Sequence, residues 1–192
     1  NIYSTAAFMA HFVDKVLKST GADKVDLVGH SQGGGPLPRA YIKYYGGDKK
    51  VNHLIGIVPS NKGTSILGME KFLNEPGTPA NTIMSAGARY RNLESAPQQL
   101  QGSTFLKDLN AGGMTTPGVK YTVIATRFDN RVFPWTNALI PESGAKNIVI
   151  QDVCPLDHSA HTNITYDPMT YQVVANALEP QRATRVKCTI RP

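Results

Sequence analysis

The sequence predicts an α/β fold with a mostly parallel sheet flanked by helices, and three observations carry that expectation. Short β-prone runs at residues 25–28, 54–58, 121–126 and 147–150 alternate with stretches of helical periodicity, the order that produces a parallel sheet covered on both faces. The first run ends directly in Gly29-His30-Ser31-Gln32-Gly33-Gly34-Gly35, a sharp strand-to-helix junction. The 192 residues, 41% hydrophobic and 18% charged, suit one globular domain with a real core and fall outside the disordered class.

Taken in order, residues 4–20 place Phe8, Met9, Phe12, Val13, Val16 and Leu17 at three- and four-residue spacing. Ser4 or Thr5 is available as N-cap and Gly21 as the stop, so an amphipathic helix is expected, with His11 at its surface or boundary. Strand 25–28 and the Gly-rich junction follow, then a helix to about Tyr45 closed by Gly46-Gly47. Residues 54–58 read as a buried strand ahead of the polar loop Pro59-Ser60-Asn61-Lys62-Gly63-Thr64. The stretch 67–117 is weakly periodic, with short helices expected over 66–73 and 98–109. Residues 121–126 are the strongest strand signal, and 147–150 the next. A last helix starts with Asp167 as N-cap and Pro168 in its first position, presenting Tyr171, Val174, Ala177 and Leu178 on one face.

Charge and cysteine usage narrow the function classes. Twenty Lys plus Arg against fourteen Asp plus Glu leave +6, but the basic residues are dispersed, so no nucleic-acid partner is expected. No apolar run approaches the roughly 18 residues of a membrane span. The chain starts at Asn1 without a charged-then-apolar leader, as a mature secreted chain or an internal fragment would. Cys154 and Cys188, the only cysteines, flank the last helix; they suit a disulfide in an oxidising compartment, the alternative being two buried thiols.

The chemistry centres on Gly29-His30-Ser31-Gln32-Gly33, a G-x-S-x-G pattern that gains weight from the strand before it and the helix after it. Such a turn lifts the serine hydroxyl clear of the sheet, and Gly29 and Gly33 are expected to be the positions where side chains would collide across it. Ser31 is thus the candidate nucleophile, and the backbone N–H of Gln32 a candidate oxyanion donor at the positive end of a helix. A serine nucleophile needs a general base held by a carboxylate, in the chain order Ser, acid, His. Asp129 is the only carboxylate after strand 121–126 and before Glu142; its ordinary alternative is an Asx-turn. For the base, His158 and His161 both follow strand 147–150; His161, nearer the last helix and followed by the open stretch Thr162-Asn163-Ile164-Thr165, is the candidate, with His158 the competing histidine and a candidate surface partner of Asp157.

These motifs together resemble the secreted bacterial class 2 lipases of the α/β-hydrolase superfamily. The resemblance rests on Val28-Gly29-His30-Ser31-Gln32-Gly33-Gly34, Ala125-Thr126-Arg127-Phe128-Asp129, and Cys154-Pro155-Leu156-Asp157 with His161 and Tyr166-Asp167-Pro168. Pro59-Ser60-Asn61-Lys62-Gly63-Thr64 and Gln98-Gln99-Leu100 extend it over nearly the whole chain. It implies a Ser31, Asp129, His161 triad, since the family histidine falls just before Tyr-Asp-Pro. It also implies secretion, a disulfide near that histidine, and ester hydrolysis through an acyl-serine, with lipid esters as substrate and no metal or organic cofactor. The cysteine pair the family usually carries upstream of Gln-Gln-Leu is absent, Ala96-Pro97 standing there instead.

Residues 66–118 are the candidate lid or substrate-binding insertion, with Ile66, Leu67, Met69, Phe72 and Leu73 read either as an apolar lid or as core of an inserted helix. The second oxyanion donor of this fold comes from a loop after an earlier strand, and only one helix precedes the Ser31 strand. Residues 1–192 are therefore expected to form a single but N-terminally incomplete domain, with the second donor missing from this chain. A monomer making transient contact with anionic lipid interfaces is expected. The alternatives are an esterase or acyltransferase for short or polymeric esters, and a non-catalytic hydrolase-fold binding protein.

Overall fold

A computed structural model describes residues 1–65, 79, 82, 83, 86 and 94–188. Among these, the elements in chain order are α1 (Ile2–Thr20), β1 (Val25–His30), α2 (Pro36–Tyr44), β2 (Val51–Ile57), α3 (Ser95–Gln98), α4 (Thr104–Asn110), β3 (Lys120–Ala125), β4 (Ala145–Val149), α5 (Ile150–Val153) and α6 (Pro168–Leu178). The four strands form one sheet in the order β1-β2-β3-β4, every pairing parallel. Parallel neighbours need crossover connections, which is why helices separate the strands and cover both faces.

Alternation along the strands sends side chains into two cores. Leu54, Tyr121 and Val123 join Ile2, Ala6, Tyr41 and Leu106 beneath α1, α2 and α4. Ile55, Ile57 and Ile124 join Ile164, Met169 and Val173 beneath α6. The inner strand β2 is buried along almost its whole length, whereas β1, at the sheet edge, alternates and leaves Val28 exposed. Each fully buried Ile or Leu stabilises the fold by roughly 1.5–3 kcal/mol, so the inner strands dominate the apolar contribution.

Several boundaries differ from the sequence expectations for identifiable reasons. Helix α1 is capped by Asn1, whose Oδ1 accepts from the Tyr3 amide, rather than by Ser4 or Thr5; those hydroxyls donate to the Asn1 carbonyl from inside the helix. Its buried stripe is Ile2, Ala6 and Val13, while Phe8 and Phe12 are exposed although they fit the apolar spacing. The helix expected over 98–109 is split into α3 and α4: Gly102 takes φ 78° and Ser103 caps α4 by accepting from the Leu106 amide. Strand β2 begins at Val51, earlier than the apolar run, and Ile150 starts α5 instead of ending β4. The helix expected over 66–73 and the five lid candidates lie outside the described residues.

Two long cations tie helices together with no carboxylate ion-pair partner among the described residues. Arg39, buried on α2, donates to the carbonyls of Met114 and Asn61 and to Asn110 Oδ1. Burial lowers its pKa to about 10, which leaves it charged near neutrality. Lys43, one turn further on, caps the end of α4 by donating to the carbonyls of Asp108, Leu109 and Ala111.

Candidate active site

The junction after β1 has the shape its sequence requires. Ser31 takes φ 56°, a left-handed conformation that costs a non-glycine residue on the order of 1–3 kcal/mol and turns its side chain up from the strand end. The expected helix does not start at once: a 3₁₀ turn, Ser31–Gly34, comes first, and α2 begins after Gly35 with Pro36 at its first position. A Cβ on Gly29 would overlap the Gly33 carbonyl. The pairing of Gly29 with Gly33 as the sterically required glycines needs correction, because a Cβ on Gly33 itself meets nothing within 4 Å. The second close approach is at Gly34, whose Cβ would overlap the Gly29 carbonyl and sit 3.1 Å from Gly56 Cα on β2. Packing of the elbow against the neighbouring strand, not the turn alone, demands that glycine.

Across the C-terminal ends of the strands, Ser31, His161 and Asp129 come together. His161 Nε2 lies 2.9 Å from Ser31 Oγ, and His161 Nδ1 lies 3.0 Å from both carboxylate oxygens of Asp129. The histidine and aspartate are buried. A carboxylate only accepts, so Nδ1 carries the proton and Nε2 offers its lone pair to the serine hydroxyl. Asp129 also performs the turn role that was its alternative: Oδ1 accepts from the amides of Arg131 and Val132 at 2.8 Å each. One side chain both shapes its loop and faces the imidazole.

The loops bearing Asp129 and His161 are locked to each other by Gln151, which sequence reasoning did not single out, and Thr126, which it quoted only as part of a motif and gave no role. Gln151 accepts from the Arg127 amide and donates to Thr126 Oγ1 and the Asp157 carbonyl. Thr126 Oγ1 in turn donates to the Ser159 carbonyl at 2.6 Å. Both residues are buried, where an unpaired polar group would be costly, so the network pins one loop against the other. A second relay secures the elbow: Ser60 Oγ donates to Gln99 Oε1, and Gln99 Nε2 donates to Gln32 Oε1. This relay gives a physical reason for the polar loop after β2 and for the Gln-Gln-Leu segment. Val58, just ahead of Ser60, takes φ 42°, strain unusual for a β-branched residue, and turns the chain toward the elbow. For Thr126, Ser60 and Gln151 the sequence signal is a polar residue just past a strand end; nothing local foretells their partners.

His158 does not pair with Asp157 as the sequence suggested. Asp157 is buried and accepts from the amide and hydroxyl of Ser159, while exposed His158 rests against the Phe128 ring at 4.8 Å. Cys154 and Cys188 form a disulfide that ties the tail to the end of α5. Among the described residues, no group of three or more His, Cys, Asp or Glu is arranged to hold a metal ion, and no helix is long and apolar enough to cross a membrane.

Comparison with known proteins agrees with this architecture. The family described as Lipase (class 2) matches residues 8–174. Aspergillus fumigatus lipase B superposes with a TM-score of 0.72 at 20% identity, over 97% of this chain and 43% of its own. Bacillus licheniformis lipase BlEst2 in propeptide form gives 0.66 at 16% identity, over 100% and 43%. The product of the gene lin2722 from Listeria innocua gives 0.60 at 14% identity, over 100% and 72%. The chain thus spans less than half the length of the first two, and at these identities the likeness is one of fold.

Proposed function

Since the chain belongs to the class 2 lipase family, with an α/β-hydrolase fold, we propose that it is a serine ester hydrolase cleaving carboxylic esters of lipids, triacylglycerols among them, through an acyl-serine intermediate. The observation that carries this reading is the continuous hydrogen-bonded run from Ser31 through His161 to Asp129.

In this mechanism Ser31 Oγ attacks the ester carbonyl carbon while His161 Nε2 takes the hydroxyl proton. The carbonyl oxygen becomes an oxyanion, and the Gln32 N–H is placed in sequence to donate to it as one of the stabilising amides. Asp129 keeps the proton on Nδ1 and stabilises the imidazolium that forms. The imidazolium then protonates the departing alcohol as the ester C–O bond breaks, leaving the acyl-serine. Water attacks that ester by the same route, with His161 again as base, and releases the carboxylic acid. Positioned proton transfer of this kind contributes about 10²–10⁴-fold, and each oxyanion donor about 10²–10³-fold.

Exposed Phe128, Phe133 and Leu156 lie on or beside the loops that carry Asp129 and His161, and they support contact with a lipid interface. The disulfide supports residence in an oxidising, extracellular compartment.

The test is covalent labelling of the purified protein with a fluorophosphonate, compared with Ser31→Ala. Labelling of the parent alone is expected, followed by hydrolysis of p-nitrophenyl esters from acetate to palmitate with a preference for longer chains. Absence of labelling overturns the enzyme reading, and a preference confined to acetate and butyrate overturns the lipase assignment in favour of an esterase.

A further inference from the structure

A cavity of about 630 Å³ opens at the end of the sheet opposite Ser31. Its position follows from the parallel topology: Ser31 leaves the C-terminal end of β1, whereas the cavity is lined by the first residues of the other three strands, His53 on β2, Lys120 and Thr122 on β3, and Lys146 on β4. Ile148, Val173 and Ala177 form apolar wall, and Ala183 and Val186 of the chain after α6 form the roof. The size is that of a small-ligand site, and the walls are mainly apolar.

The roof is held in place by bonds independent of any ligand. Asn176 exchanges two hydrogen bonds with Thr184, Gln172 bonds the Arg185 carbonyl and the Lys187 amide, and Cys188 is linked to Cys154. The opening below that roof is therefore preformed.

The charged residues in the cavity lining are of one sign; the carboxylate of Asp26 on β1, in register with His53, stands outside that lining and accepts a hydrogen bond from Asn52. Lys120 and Lys146 both line the cavity, no Asp or Glu does, and neither lysine has an ion-pair partner among the described residues. Lys146 registers with Thr122, which lies two residues along from Lys120 on the same face. Strand spacing of about 4.8 Å and a rise of about 3.3 Å per residue put the two Cα atoms roughly 8 Å apart, close enough for both ammonium groups to reach one compact anion. His53, also in the lining, is buried and bonded to Thr122 Oγ1, and brings no negative charge there.

From the apolar walls and the unpaired lysines we propose that this cavity binds the single-chain carboxylate of a fatty acid, with the head group between Lys120 and Lys146 and the alkyl chain against Ile148, Val173, Ala177 and Val186. The site is separate from Ser31, and the inference stands on the cavity alone, whether or not the chain hydrolyses esters. Apolar burial supplies most of the affinity and the charge-assisted bonds at the lysines orient the ligand.

Isothermal titration of the Ser31→Ala protein with dodecanoate, below the micellar range, tests this without involving ester chemistry. One site is expected, with dodecanol bound at least tenfold more weakly. The exposed-lysine double variant Lys120→Gln/Lys146→Gln, its fold checked by circular dichroism, should weaken dodecanoate at least tenfold, and raised salt should weaken it in the parent. Ala177→Phe, which fills the chamber, should abolish binding while leaving fluorophosphonate labelling of Ser31 in the otherwise unsubstituted protein unchanged. No binding, equal binding of dodecanol, or binding indifferent to the lysine variant overturns the proposal. So does a cavity already occupied by another part of the protein, read as no binding.

Discussion

His30 Nε2 lies 2.7 Å from the backbone carbonyl oxygen of His161, with the two imidazole rings 4.8 Å apart. The residue immediately before the proposed nucleophile thus donates to the main chain of the proposed base, across 131 positions of sequence. Removing the donor should loosen the base without touching a substrate-binding group. His30→Ala is expected to lower kcat on a p-nitrophenyl ester about fivefold with KM nearly unchanged, the equivalent of one hydrogen bond of about 1 kcal/mol. His30→Gln, which can still donate, should recover most of the loss. A rise in KM alone, or no rescue by glutamine, would count against a positioning role.

Asp129 serves its loop and the imidazole at once, and the two roles separate by substitution. Asp129→Asn keeps an oxygen for the Arg131 and Val132 amides but loses the charge that selects the histidine tautomer. It should cost about 10⁴-fold in kcat while the melting temperature stays near that of the parent. Asp129→Ala should in addition destabilise the fold by about 1–3 kcal/mol, measured by urea denaturation.

The elbow glycines should respond in opposite ways. Gly33→Ala enters open space on an exposed position and should change stability by no more than about 0.5 kcal/mol. Gly34→Ala drives a Cβ into two backbone segments, Gly29 and Gly56, and should abolish soluble folded protein or fluorophosphonate labelling. Equal tolerance of both variants would contradict the packing described.

Arg39→Met should destabilise by about 3–5 kcal/mol in urea denaturation, since it strands the carbonyls of Met114 and Asn61 and the side chain of Asn110. Arg39→Lys is expected to recover little, because one ammonium cannot span three acceptors held by a planar fork.

His53 links stability to pH. Burial, helped by the Lys120 charge and only partly offset by the carboxylate of Asp26, holds its pKa below the ordinary value of 6.5. The unfolded chain therefore binds the proton first as pH falls, so this contribution is fully present above about pH 6.5 and declines below it until the folded-state pKa is reached. The parent should lose more stability between pH 7.5 and 5.5 than His53→Gln, as read from urea midpoints at the two values. A steeper loss in the variant would reverse the sign argued here.

What was legible in the sequence was local. The elbow after β1, the Asp167-Pro168 start of α6 and strand β3 are written in neighbouring residues, because caps, glycine turns and β-branched runs act over a few positions. Phe8 and Phe12 show the limit: they satisfy helical spacing and stay exposed, while Met9, Val13 and Leu17 of the same run pack on the core, and periodicity cannot say how wide a stripe the neighbouring elements will cover.

The sequence by itself determined the chain order of Ser31, Asp129 and His161, the alternation that makes the sheet parallel, and the two cysteines available to pin the tail. Only the tertiary structure put numbers on the reach from His161 to Ser31 and Asp129, moved the steric demand from Gly33 to Gly34, and revealed the contacts that Gln151, Thr126, Gln99 and His30 make around the candidate site. The physical reason is distance along the chain. A hydrogen bond between His30 and His161, or a close approach of Gly34 to Gly56, depends on how the sheet brings remote segments together, and no local residue pattern encodes that meeting.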